Sequence, residues 1–135
     1  MEYEKAFHQE GTEILYHHLT APQFTWTVEG LLSDIDQLVA GDAVLLCNPN
    51  NPTGSLVPVG HLLELGKRLL EQNIHFILDE AFIDFLEDEK EYSFVPYLSE
   101  FANAIVVRSL TKFHAIPGLR LGYALGIHPC LAKMN

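Results

Sequence analysis

Basic residues are scarce in this chain: 8 lysines and arginines stand against 18 aspartates and glutamates in 135 residues, for a formal net charge of -10. A surface of that sign repels phosphate backbones and anionic lipid, which excludes nucleic acid and membrane surfaces as general partners. Any anion the chain binds must be held by a local site. Cysteine is nearly absent, and Cys47 and Cys130 form neither a metal-binding spacing nor a disulfide framework, so a reducing, cytoplasmic setting is expected. No apolar run approaches the ~20 residues that a membrane helix needs. The opening "MEYEKAFHQEG" lacks the apolar core of a secretory signal. Two glycine signatures are also missing. There is no GxGxxG, and Gly54 and Gly60 are followed by His61 rather than the lysine of a phosphate loop, which sets aside a nucleotide-binding module.

What is present is ordinary globular material, with 48% hydrophobic and 19% charged residues, enough for one core. Residues 2 to 10 read as a short helix closed by Gly11, and "TEILYHHL" as a strand of mixed polarity. On such a strand the adjacent His17 and His18 point to opposite faces, so they do not share a metal ion. "VEGLLSDIDQLVAGD" carries apolar positions at helical spacing. The continuous apolar run "AVLLC" reads as a buried strand, and "NPNNPTG" after it as a turn. From Val57 to Asn73 the residues Leu62, Leu65 and Leu69, with Leu63 and Leu70 beside them, form one helical stripe. "IHFIL" is the next buried strand, ending at Asp79, and "AIVV" another, ending near Ser109. Between them "LEDEKEYSF" is acidic and solvated, and "VPYLSEFAN" holds a short helix. "RLGYALG" reads as a last strand. Alternating helices and strands without repeats predict the α/β class: a mostly parallel sheet flanked by helices on both faces.

In such sheets ligands bind beyond the carboxyl ends of the strands. Three polar clusters fall there: Asn48 to Gly54, Asp79, and Ser109 to Lys112. Each residue has an ordinary reading. Asp79 could cap a helix or pair with a cation, Lys112 could be a solvated loop lysine, Arg120 a surface residue and Asn51 a turn asparagine. Together they suggest more. A carboxylate at a dry strand end is costly without a partner, a lysine in apolar surroundings becomes a nucleophile, and Arg120 with Ser109 and Thr111 would form a compact phosphate site. An amine, an acid and a phosphate clamp at one sheet edge are what pyridoxal phosphate requires.

The segments "NNPTG", "ILDEAFIDF" and "RSLTKFHAIPGLRLGY", in this order, resemble the large domain of the fold type I pyridoxal phosphate enzymes, the class I and II aminotransferases. The last two segments are most similar to the threonine-phosphate decarboxylase group, relatives of the histidinol-phosphate aminotransferases. The resemblance runs from about Tyr3 onward. It implies that Lys112 holds the cofactor and later moves the proton at the reacting carbon, and that Asp79 keeps the pyridine nitrogen protonated. It also implies that Asn51 donates to the phenolic oxygen, Ala81 lies against the ring, and Ser109 and Arg120 bind the phosphate. The Asn51 to Pro52 peptide is often cis in this family. Phe82 stands where many members have a tyrosine that donates a second hydrogen bond to the phenolic oxygen. His114 stands where tyrosine is usual and receives no role.

The resemblance further implies that residues 1 to 135 are a partial large domain, lacking an N-terminal segment and a C-terminal small domain that would recognise substrate. The activity it implies is decarboxylation of L-threonine O-3-phosphate to aminopropanol phosphate in cobalamin biosynthesis. A histidinol-phosphate-type aminotransferase and a catalytically inert fragment are the alternatives. The implied partner is a small phosphorylated amino acid, and the family's full-length members are homodimers.

Overall fold

The computed structural model describes residues 2–19, 22, 24, 27–114, 118 and 121–133. The three apolar runs become adjacent strands, β1 (Ala43–Cys47), β2 (His75–Asp79) and β3 (Ala104–Ser109), and a fourth, β4 (Gly122–Leu125), completes the order β1-β2-β3-β4. β1 and β3 both pair parallel to β2, which brings Cys47 opposite Asp79 and Asp79 opposite Val107. The carboxyl ends of these three strands therefore share one edge, as expected. β4 runs antiparallel to β3, with Gly122 opposite Ser109. Among the described residues the α-helices are α1 (Glu2–Gln9), α2 (Val28–Ile35), α3 (Val59–Glu71) and the single turn α4 (Leu110–Phe113). This is the expected α/β sheet. Among the described residues no helix is long and apolar enough to cross a membrane.

Alternation along the strands decides where the core lies. Side chains one apart on a strand point to opposite faces, and in β2 and β3 every second residue is buried: Phe76, Leu78, Ala104, Val106 and Arg108. α3 lays its leucine stripe on this face, with Leu62, Leu65 and Leu69 fully buried. The stripe was legible because it recurs at helical spacing. Between those leucines Gly66 lets the helix approach two rings. A Cβ there would lie 3.0 Å from Phe101 Cε1 and 3.2 Å from Phe94 Cζ. Phe94, Leu98 and Phe101 come from the segment around the 3-10 helix Val95–Glu100, so the expected short helix is present in its tighter form. On the other face Leu45, Ile77, Ile105 and Val107 are only half-buried, and packing is heavier on one side of the sheet than the sequence suggests.

Two expectations require correction. Residues 12–19, read as a strand, have no regular secondary structure. A strand exists by pairing, and side chains here bond elsewhere: the Tyr16 hydroxyl donates to Glu4 at 2.8 Å, and His17 pairs with Asp34 at 2.6 Å. The acidic segment after β2 is not simply solvated either. Within 86–94, Glu89–Glu91 forms a 3-10 turn that delivers a carboxylate to Arg108, and Ser93 and Phe94 are buried; just before it, the 3-10 turn Ile83–Phe85 brings Asp84 to the same arginine.

At the amino end of β2, the edge away from the polar clusters, His75 and His128 are stacked edge to face with centroids 4.8 Å apart. The Cys130 amide donates to His128 Nδ1 at 3.2 Å, so Nε2 carries the proton and donates to His75 Nδ1 at 3.0 Å. Burial, and then the neighbouring His75, hold the His128 imidazole below its ordinary value. A histidine lowered in the folded state binds its proton more readily in the unfolded chain, so its contribution is intact above about pH 6.5 and is lost as pH falls below that. Melting temperature is therefore expected to decline gently with acidification through this range. His128→Gln should flatten that part of the profile, and an unchanged slope would show that His128 does not contribute to it.

Candidate active site

The loop after β1 is built on Asn48, which is fully buried. Its Nδ2 donates to the carbonyls of Val57 at 3.0 Å and Tyr92 at 3.1 Å, and its Oδ1 accepts from the Val57 amide at 2.9 Å. The turn above is closed by Gly54 N to Asn50 O at 2.7 Å and Asn50 N to Ser55 O at 2.9 Å, with Gly54 at φ 72° where only glycine is unstrained. Asn51, within this turn, is exposed. Asn51–Pro52 is cis, as the resemblance implies, and so is Asn48–Pro49.

Beneath Asn51 lies an open cavity of about 280 Å³ lined by Pro49, Asn50, Asn51, Pro52, Phe82 and Phe85, among others. Phe82 connects this cavity to the loop after β3, because Lys112 Nζ stands 5.6 Å from its ring centroid, within cation–π range. Aromatic contacts extend the wall: Phe82 to Phe85, Phe85 to Phe113, and Phe113 to His114, the last with centroids 5.3 Å apart. His114 thus joins an aromatic row. In a water-exposed loop, such rings lend Lys112 an apolar side without burying it.

Asp79 ends β2 on the half-buried face of the sheet, the same alternate set as Ser109 on β3. Its Oδ1 accepts from the Ala81 amide at 2.9 Å, and its Oδ2 accepts from the Tyr3 hydroxyl at 2.7 Å. The Cys47 thiol stands 3.9 Å from the same Oδ2, and burial together with the Asp79 charge pushes that thiol up to about 11. Ser109 Oγ and Thr111 Oγ1 are 2.8 Å apart, two hydroxyls side by side at the start of α4. Arg120 lies outside the described residues. Asn51 and Phe82 are therefore brought to one cavity, Phe82 to Lys112, Ala81 to Asp79, and Ser109 to Thr111.

Sequence reasoning missed the group directly behind this edge. Glu80, fully buried, accepts from the Phe94 amide at 2.7 Å and from the Ser93 hydroxyl at 3.0 Å. Arg108 donates to Glu80 Oε2 through Nε at 3.2 Å and Nη2 at 2.9 Å, and also reaches Glu89 at 2.6 Å and Asp84 at 3.4 Å. Burial opposes the Arg108 charge, but the bonds and charges of Glu89 and Glu80 outweigh it and hold the guanidinium protonated. The signal was available: Glu80 follows Asp79 and must face the core, where an acid needs a cation, and Arg108 precedes Ser109 in the same way. The network ties the 3-10 turns to β3 and so fixes the floor on which Asp79, Phe82 and Ser109 stand.

The family description "Aminotransferase class I and II" matches residues 1–135. The threonine-phosphate decarboxylase of Salmonella typhimurium is 44% identical over 90% of this chain and 32% of its own length. The histidinol-phosphate aminotransferase structure from Clostridium acetobutylicum superposes with a TM-score of 0.86 at 32% identity, covering 98% of this chain and 38% of that one. The structure of histidinol-phosphate aminotransferase from Sinorhizobium meliloti, in complex with pyridoxal-5'-phosphate, gives a TM-score of 0.81 at 25% identity, over 98% of this chain and 34% of that one. The chain spans about a third of the length of the curated relatives it matches. With the family match extending over residues 1–135, and with 98% of the chain superposing on a solved structure at a TM-score of 0.86, the chain belongs to the class I and II aminotransferase family.

Proposed function

We propose that this chain carries the pyridoxal phosphate site of an enzyme that decarboxylates L-threonine O-3-phosphate, and that residues 1–135 form part of its large domain. The observation that carries the reading is the 44% identity to a threonine-phosphate decarboxylase across nine tenths of the chain. The donor set fits the cofactor. A carboxylate at Asp79 with a lone pair to spare, an amine at Lys112, an exposed Asn51 and paired hydroxyls at Ser109 and Thr111 lie beyond the carboxyl ends of the parallel strands. Asp79 would hold a proton at the ring nitrogen, Asn51 would donate to the phenolic oxygen, and Ser109 with Arg120 would bind the phosphate. Ala81 would lie against the ring. The bound cofactor supplies an electron sink for charge left at a substrate carbon. Lys112 would anchor it and move the proton at that carbon. Phe82 has no hydroxyl, so it contributes an apolar face and no second donor. A homodimer in the cytoplasm, serving cobalamin biosynthesis, completes this reading.

A second reading, a histidinol-phosphate aminotransferase, is favoured by the TM-score of 0.86 to one such structure. Release of carbon dioxide from threonine phosphate against amino transfer from histidinol phosphate to 2-oxoglutarate separates the two. The cofactor site is tested more directly. Adding pyridoxal phosphate to the chain is expected to give a visible absorbance band that Lys112→Ala abolishes. If no such band forms, the chain is an inert piece, and if the band persists in Lys112→Ala, Lys112 is not the anchor.

A further inference from the structure

Tyr3 lies 76 residues from Asp79 in sequence, yet its hydroxyl donates to Asp79 Oδ2 at 2.7 Å, while the Ala81 amide donates to Oδ1 at 2.9 Å. An ionised carboxylate accepts at about four lone-pair positions. The Cys47 thiol adds a weak donor to Oδ2 at 3.9 Å, so with three donors one position remains. Held only by Ala81 and that weak, long thiol contact, the group could swing, since the terminal torsion of an aspartate is broad. The two strong donors come from different directions, one from the following turn and one from α1, and define its plane.

We propose that Tyr3 is a positioning residue: its hydroxyl fixes the plane in which Asp79 presents its remaining lone pair to a protonated ring nitrogen, an inference that rests on the cofactor reading of Asp79 given above. The choice of donor suits the task. A lysine or arginine there would orient the carboxylate equally well but would compete for its charge. A phenol orients it and stays neutral. Burial raises the Tyr3 phenol well above the ordinary tyrosine range, with the hydrogen bond to Asp79 and its charge adding to the effect, so the hydroxyl remains a donor at any working pH. The half-buried phenol in turn needs an acceptor. α1 contributes little else at this edge that could orient the acid, which assigns a chemical task to a helix otherwise exposed along most of its length.

The test uses pyridoxal phosphate as the probe on the unsubstituted chain, Tyr3→Phe, Asp79→Asn and the double variant. Tyr3→Phe is expected to keep the Lys112-dependent band, to weaken binding about tenfold, the effect of one hydrogen bond of ordinary net strength, and to shift the pH midpoint of the band. In the Asp79→Asn background the same substitution should add nothing. A purely structural role would lower melting temperature but leave the midpoint in place. An unmoved midpoint and affinity in Tyr3→Phe overturns the positioning role while leaving the cofactor reading standing. Absence of any Lys112-dependent band in the unsubstituted chain overturns the cofactor reading, and the positioning role with it. Ultraviolet titration without cofactor, in chains that retain Tyr3, guards against misfolding of Tyr3→Phe. The high-pH phenol transition should move down in Asp79→Asn, and no movement would overturn the contact.

Discussion

Arg108→Ala is expected to destabilise the fold by about 3–5 kcal/mol, the usual effect of removing one partner from a buried ion pair. The guanidinium is 10% exposed and the Glu80 carboxylate 0%, so the substitution strands a charge that water cannot reach. Little of the loss comes from Asp84 and Glu89, which are exposed enough for their attraction to be screened. The pH dependence follows from Glu80. Burial holds its carboxyl above the ordinary range, against the opposing pull of the Phe94 amide, Arg108 and Ser93. Removing Arg108 takes away part of that pull and raises it further. An acid raised in the folded state contributes most below its unfolded value of about 4.3, and that contribution is lost as pH rises through the folded value. The variant should therefore lie closest to the parent in mild acid and fall furthest behind at neutral pH. Adding Glu80→Gln should recover on the order of 0.5–3 kcal/mol at neutral pH. Denaturant melts at two pH values check this, and a loss under ~1 kcal/mol that does not vary with pH would show the network to be hydrated.

Phe76→Ala should cost a similar ~3–5 kcal/mol by a different route, transfer of a ring to water plus the cavity left behind. Phe76 sits fully buried in the central strand β2, with its ring set edge to face against Phe94 at 5.7 Å, and Phe94 in turn contacts Phe101 at 4.8 Å. An aromatic pair of this kind adds about 0.5–1.5 kcal/mol beyond area. Collapse around the gap is hindered because α3 already packs closely on the neighbouring rings, where a Cβ at Gly66 would lie 3.0 Å from Phe101 and 3.2 Å from Phe94. The denaturation midpoint should drop with an unchanged slope, and Phe76→Leu, which keeps most of the volume, should lose much less. A negligible loss for alanine would mean that the core is not centred on this face.

The strands were legible because β1, β2 and β3 are short apolar runs closed by polar residues, and α3 because its leucines recur at helical spacing. The antiparallel course of β4 was not, since strand direction depends on how the chain returns after Ser109 rather than on "GYAL" itself. Residues 12–19 carry strand-forming side chains but find no neighbour to pair with. At the site, three motifs marked Asn51, Asp79, Phe82, Ser109 and Lys112, and the structure sets them along one edge. Tyr3 was not marked, because nothing in a tyrosine near a helix start specifies an acceptor 76 residues away. Glu80 and Arg108 were not marked for a different reason: each stands beside a motif residue, Asp79 or Ser109, whose side chain points the other way.

That alternation has a use. In β2 and β3 the odd-numbered residues 75, 77, 79, 105, 107 and 109 form the half-buried face, which ends at Asp79 and Ser109, and the even-numbered 76, 78, 104, 106 and 108 form the buried face. Residues of the proposed site and residues of the core are thus interleaved on the same two segments, and point substitutions are expected to tune either one with limited effect on the other. A single-residue insertion early in β2 would exchange the two sets and damage both at once.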